Sequence, residues 1–166
     1  MQTGGLIVIS LIASVGRNLE IGKGPELAFP GKGELGYFKK TTMGHKVLMG
    51  SKTYYSLPCR LEGREYYVAA YEGEFPDWVN VVNDLTGFLE KWQNESEELF
   101  VIGGGSIYAA ALPYANKLYL TEIDGERKDA DVFFPKFDTG DFIKQKVGEG
   151  EFDDGLVFAR FVYTKK

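Results

Sequence analysis

Residues 99–108 read LFVIGGGSIY, four apolar residues and three consecutive glycines leading into AAALPYA, a segment of good helix formers. An apolar run that ends in glycines and passes into a helix reads as a buried parallel strand delivering its backbone to a turn. There a second group can approach without meeting a Cβ. The triplet is not the G-x-G-x-x-G dinucleotide fingerprint, because no third glycine falls in the following helix where that spacing needs it. Alone, it fits a tight structural turn as well as a ligand-facing one, and the flanking sequence has to decide.

Toward the N-terminus, Leu6 to Ala13 (LIVISLIA) is almost continuously apolar and β-branched, as a strand buried on both faces requires. From Gly16 to Gly33 the chain carries five glycines and two prolines, which predicts a long connection without regular structure, of the kind that forms lids. GELGYFKKTTMG predicts a helix with Leu35 and Phe38 on one face, Glu34 in its first turn and Lys39 and Lys40 toward its end. A first-turn glutamate is commonly just a favourable charge at a helix N-terminus, and its alternative is a carboxylate facing a cleft. HKVLMG predicts a short strand, and SKTYYSLP a helix capped by Ser51 with Lys52 and Thr53 at its mouth. Glu62-Gly63 predicts a turn, with Arg64 where that turn becomes a strand running through Val68.

WVNVVND predicts another strand, and LTGFLEKWQ a helix burying Leu85, Phe88, Leu89 and Trp92. Beyond the glycine triplet, NKLYLTEID alternates Tyr119 and Thr121 against Leu118 and Leu120, as a strand does. DVFFP, DFIKQKVG and LVFARFVYTKK read as further strands, the last two as an antiparallel hairpin. The whole predicts one α/β domain over residues 1–166, with a mostly parallel sheet and an antiparallel edge.

Composition bounds the chemistry. With 166 residues, 44% of them hydrophobic, the chain can bury a sizeable core. A net charge of -5 argues against nucleic acid as a partner. One cysteine, Cys59, and one histidine, His45, exclude an intramolecular disulfide and a cysteine- or histidine-built metal centre. The apolar N-terminus lacks a positively charged flank and is too short to span a bilayer, so a cytoplasmic protein without a membrane partner is expected.

Taken together and in order, ISLIAS, the glycine-rich loop after it, ELGYFKK, KVLMGSKTYYSL, Gly63-Arg64, VIGGGSIY and KLYLTEID resemble the dihydrofolate reductase family over nearly the whole chain. The resemblance implies an eight-stranded mixed sheet flanked by four helices. It also implies a monomer that reduces 7,8-dihydrofolate to tetrahydrofolate by hydride transfer from NADPH to pterin C6, with a proton arriving at N5. Glu34 falls on the family's acidic position in the pterin pocket and Thr121 on the threonine that bonds it, giving Glu34 and Thr121 as the catalytic pair. A mostly buried carboxylate can orient the pterin and ease protonation of N5, directly or through water.

Ile12 and Ala13 match first-strand positions beside pterin and nicotinamide. Leu35, Phe38, Leu57 and Leu61 match the walls around the p-aminobenzoyl ring, Arg64 matches the clamp on the α-carboxylate of the glutamate tail, and Ile102 and Tyr108 complete the substrate side. Toward the cofactor, Gly50, Ser51, Lys52 and Thr53 match the phosphate-facing helix start. Gly103, Gly104, Gly105, Ser106 and Tyr108 match the second such turn, where the family joins the first two glycines by a cis peptide. Ala13 and Ile21 lie on the same side.

The sequence departs from the family pattern at Ala28-Phe29, where a Pro-Trp pair is usual and the indole N–H is therefore missing. At Ala69-Ala70-Tyr71-Glu72, serines or an arginine usually hold the adenosine 2′-phosphate, and here Lys52 is the obvious cation left. Pro58 and Cys59 replace a common glycine and basic residue at the substrate rim. Two other readings remain at this level: a reductase of the same fold acting on a phosphoribosyl pyrimidine in riboflavin synthesis, and a pterin- or nucleotide-binding protein without catalysis. Arg64 and the apolar wall, suited to an aromatic tail ending in a carboxylate, favour the folate reductase over the first.

Overall fold

The strand before the glycine triplet, β7 (Leu99–Gly103), lies near the centre of an eight-stranded sheet in the computed structural model, which describes residues 8–31 and 33–166. Its neighbours are β1 (Ile9–Val15) and β4 (Lys46–Gly50), both parallel to it. Next to β4 come β5 (Glu65–Ala69) and then β6 (Val79–Val82), also parallel. On the other side β8 (Lys117–Ile123) is parallel to β1, while β11 (Val157–Lys165) runs antiparallel to β8 and pairs with β10 (Phe142–Glu151) as an antiparallel edge hairpin. The mixed, mostly parallel sheet agrees with the expectation.

Four α-helices are found among the described residues: α1 (Glu34–Thr42), α2 (Ser51–Ser56), α3 (Leu85–Trp92) and α4 (Gly105–Ala111). They cover both faces, because strands buried on two sides need an apolar layer on each. Leu11, Val15 and Val101 join Leu89, Trp92 and Ala111 on one face; Ile12, Val47 and Phe100 join Phe38 and Leu61 on the other. The alternation of Leu11 and Ile12 along β1 is the two-residue period of a strand, and it divides the molecule into two functional sides.

Three local expectations are corrected. β1 begins at Ile9 and continues to Val15, past the predicted end at Ala13, because Ala13, Ser14 and Val15 find partners on β8; Leu6 and Ile7 lie outside the described residues. Within the segment 16–33, predicted to be irregular, β2 (Glu20–Lys23) and β3 (Glu26–Leu27) form strands. They complete a small sheet with β9 (Val132–Phe133), the DVFFP strand, so long-range pairing supplies the order that the glycines and prolines withhold locally. At α2 the cap is Gly50, with no side-chain cap bond, and Ser51 is the first helical residue.

Candidate active site

Glu34 opens α1 and is only 9% exposed. Its Oε1 accepts a hydrogen bond from Thr121 Oγ1 on β8 at 3.3 Å and another from Arg160 Nη2 on β11, also at 3.3 Å. Thr121 and Arg160 are direct cross-strand partners, so two adjacent strands of the sheet aim donors at the same oxygen. Among the described residues, Oε2 of Glu34 is buried with no partner, as is Nε of Arg160. A buried carboxylate oxygen without a donor is costly unless something else fills its lone pairs. The arrangement therefore leaves an acceptor for an N–H group that none of the described residues supplies.

Downstream of Glu34 the wall is apolar. Phe38, Leu57 and Leu61 pack in one cluster with Ile12 and Ile102, and the amide of Leu61 donates to the Tyr66 hydroxyl at 2.8 Å, fixing the 57–61 loop against β5. Leu35 stands apart from this cluster and is 51% exposed, one turn from Phe38 on the outer part of the same helix. At the far end of α1, Arg64 is buried: its Nε donates to Thr42 Oγ1 at 3.2 Å, its Nη1 to the Glu62 carbonyl and its Nη2 to the Lys39 carbonyl. A carboxylate thus stands in the first turn of α1 and a guanidinium packs against its last, each favoured by the helix dipole.

On the other side of β7 lies a cleft of about 1160 Å³ lined by Gly50, Ser51, Lys52 and Thr53 from one turn and by Gly104, Gly105 and Ser106 from the other. Gly103 has φ +125°, a conformation that favours glycine, and the Gly103–Gly104 peptide is cis, the isomer the resemblance implies. A Cβ on Gly104 would meet no atom closer than Thr53 Oγ1, at 3.7 Å, which leaves room beside this turn. Lys52 and Asp131 are the charged residues among the described lining residues.

Tyr108 is not in this lining. It is buried, its hydroxyl donates to the Ile12 carbonyl at 2.6 Å, and burial holds its phenol well above the usual range, so it remains a donor that fixes β1 beside Ala13. Ile21, on β2, packs with Ala13 against the core on this side and is also outside the cleft lining. A second concavity of about 750 Å³ near Val15, Leu120 and Phe161 contains none of the predicted site residues.

The arrangement has the two halves a hydride-transferring enzyme needs: a cleft of backbone amides for a nucleotide, and a buried acceptor heading an apolar pocket for a substrate. The dihydrofolate reductase family profile matches residues 8–165. The chain belongs to the dihydrofolate reductase family. It is 36% identical to the dihydrofolate reductase of Bacillus subtilis (strain 168) over 163 residues, covering 96% of this chain and 95% of that protein. It is 32% identical to the dihydrofolate reductase of Mycobacterium tuberculosis (strain H37Rv) over 167 residues, 96% and 99% of the two chains. To dihydrofolate reductase type A13 of Escherichia coli it is 30% identical over 159 residues, 95% and 94%. Family membership makes the protein an oxidoreductase that uses a nicotinamide cofactor. Among the described residues no helix is long and apolar enough to cross a membrane, and no cluster of potential metal ligands occurs.

Two residues of the substrate side were not singled out from the sequence. Arg160 is one, although an arginine in the middle of the apolar run VFARFVY is a visible anomaly. Tyr37, whose ring lies 4.2 Å from the Arg160 guanidinium carbon, is the other. Burial raises the Tyr37 phenol, with a nearby hydrogen bond to Thr41 and the charge of Arg160 opposing it, and nothing in the amino-acid pattern distinguishes this tyrosine from its neighbours.

Proposed function

We propose that this protein reduces 7,8-dihydrofolate to 5,6,7,8-tetrahydrofolate with NADPH, acting as a single-domain cytoplasmic monomer. When bound, NADPH would supply the hydride that pterin C6 accepts. The observation that carries the reading is the Glu34 carboxylate: buried at the head of an apolar pocket, held through Oε1, and left with an empty acceptor at Oε2. The carboxylate accepts from the amino and ring N–H donors of the pterin, orients the ring, and makes N5 easier to protonate. Thr121 holds Oε1 and shares the pterin amino group. Phe38, Leu57 and Leu61 enclose the aromatic tail with Ile12 and Ile102, while Leu35 lies at its outer rim.

Arg64 has three of its five N–H donors bound within the protein, leaving one on each terminal nitrogen for the two oxygens of a tail carboxylate. Gly50 to Thr53 and Gly104 to Ser106 hold the cofactor phosphates through backbone amides, and Lys52 meets the 2′-phosphate. Ala13, Gly103 and Tyr108 would set the strand edges beside the nicotinamide, and Ile21 packs against the same core cluster as Ala13.

The test is steady-state oxidation of NADPH and of NADH by purified protein, with and without dihydrofolate. Folate-dependent turnover with higher kcat/KM for NADPH is expected. Absence of folate-dependent turnover with either cofactor overturns the reading, and a preference for NADH overturns the part assigned to Lys52.

A further inference from the structure

Among the described residues, Arg160 is the cation that touches Glu34, and the proposed reaction gives it no part. Its guanidinium carbon lies 4.2 Å from the Tyr37 ring centroid on α1 and 4.4 Å from that of Phe158 on its own strand, a sandwich that holds the planar group at a fixed attitude. From there one terminal nitrogen reaches Oε1 of Glu34 at 3.3 Å. Thr121 alone offers a single hydroxyl on a rotatable bond, which cannot fix the plane of a carboxylate. Two donors converging on the same oxygen from neighbouring strands can, because any swing of the carboxylate breaks one contact or the other. The consequence is asymmetric: Oε1 is engaged and Oε2 is the buried atom with nothing bound to it.

We propose that Arg160 is a positioning residue for dihydrofolate reduction, holding the Glu34 carboxylate by Oε1 so that it meets the pterin N–H donors in one fixed orientation. This rests on the reading of Glu34 as the carboxylate that binds the pterin. Phe158 also packs with Phe29, Phe152 and Leu156 in a small cluster, which ties the sandwich to the end of the 16–33 loop.

The experiment is a double-mutant cycle on the full chain. Arg160→Met keeps an unbranched side chain between the two rings, Arg160→Lys keeps the cation, and Glu34→Ala removes the group being positioned. Dihydrofolate and NADPH dissociation constants are read from quenching of Trp78 and Trp92 fluorescence, and kcat and KM are measured alongside. Arg160→Met is expected to lower kcat/KM for dihydrofolate roughly 10- to 100-fold while leaving NADPH binding within about twofold, and Arg160→Lys to recover most of the loss. In the Glu34→Ala background, Arg160→Met should change dihydrofolate binding less than about twofold, since nothing remains to be positioned.

An Arg160→Met protein with wild-type kcat/KM overturns the proposal. So does a loss of dihydrofolate binding that persists undiminished without Glu34, which would mark a general packing role. If Arg160→Met fails to fold, Arg160→Lys and Arg160→Gln decide: the charged variant must retain the higher kcat/KM, and equal losses in both overturn the proposal. Unchanged dihydrofolate binding and turnover in Glu34→Ala itself would instead remove the reading of the carboxylate on which the proposal stands.

Discussion

Glu20 on β2 and Glu34 on α1 are both withdrawn from water, at 2% and 9% exposure, and their oxygens are treated in opposite ways. Oε1 of Glu20 accepts from the Asn18 amide and Oε2 from the Arg127 amide, each at 2.8 Å. Burial pushes that carboxyl up, but these backbone donors outweigh it and hold its pKa below the ordinary carboxylate range. Glu34 receives its donors from two side chains, on one oxygen, and among the described residues the other oxygen has none. A carboxylate completed by backbone amides is finished when the chain folds, and it ties loop to loop. One left half-complete raises the energy of the free protein at a single atom and lowers it again when a donor arrives, which is the signature of a binding group.

The contrast breaks most sharply at Glu34. Glu34→Gln keeps the shape but replaces one carboxylate oxygen with a donor, so kcat/KM for dihydrofolate should fall by about 10² to 10³ while the melting temperature holds or rises. Part of the rate should return in acid, where the substrate protonates without help. Steady-state kinetics across pH and a thermal melt check both halves. A full rate in Glu34→Gln would make Glu34 no more functional than Glu20.

Glu20→Gln is expected to do the reverse. An amide at this site turns an NH₂ group toward a backbone N–H, costing about 2 kcal/mol of stability, or some 4–8 °C in melting temperature, with kcat changed far less. The sign with pH follows from the lowered pKa. Because the folded-state value lies below the unfolded one, the stabilisation by Glu20 is fully present above the unfolded value, roughly pH 4, and disappears as pH falls through the folded value. Denaturant titrations at several pH values should therefore show the gap between wild type and Glu20→Gln narrowing in acid. A gap that is constant with pH would show that the charge of Glu20 is not what its amides hold.

The two glutamates also differ in how far the sequence announces them. Glu34 sits in the first turn of a helix whose period can be read locally, and the glycine triplet is a local signal too, so the central strand, α1 and the turn facing the cleft all follow from short stretches of chain. Glu20 depends on Arg127, separated from it by 107 positions. The small sheet depends on β2 meeting β9, and Arg160 matters only because the register of β11 sets it opposite Thr121. A long segment rich in glycine and proline gives no sign of the strand that will order it, and an arginine in a strand gives no sign of what lies across the ladder.

Arg64 tests whether the distinction extends beyond carboxylates. It shares with Glu20 the habit of bonding to backbone, here the carbonyls of Glu62 and Lys39, and shares with Glu34 an incomplete set, since three of its five donors are engaged within the protein. Arg64→Lys keeps the charge at the end of α1 but loses the planar fork, and its three rotatable donors cannot serve the two carbonyls and a bidentate carboxylate together. If the two remaining donors meet the tail carboxylate of dihydrofolate, KM should rise about tenfold, about 1.4 kcal/mol of binding shared by ground and transition states, with kcat little altered. Stability should drop modestly as well, because the internal bonds weaken. A lower melting temperature with unchanged KM would place Arg64 with Glu20, as a charge whose partners all lie inside the fold. A raised KM would place it with Glu34, so that the two ends of α1 carry the two groups the fold leaves incomplete for its substrate.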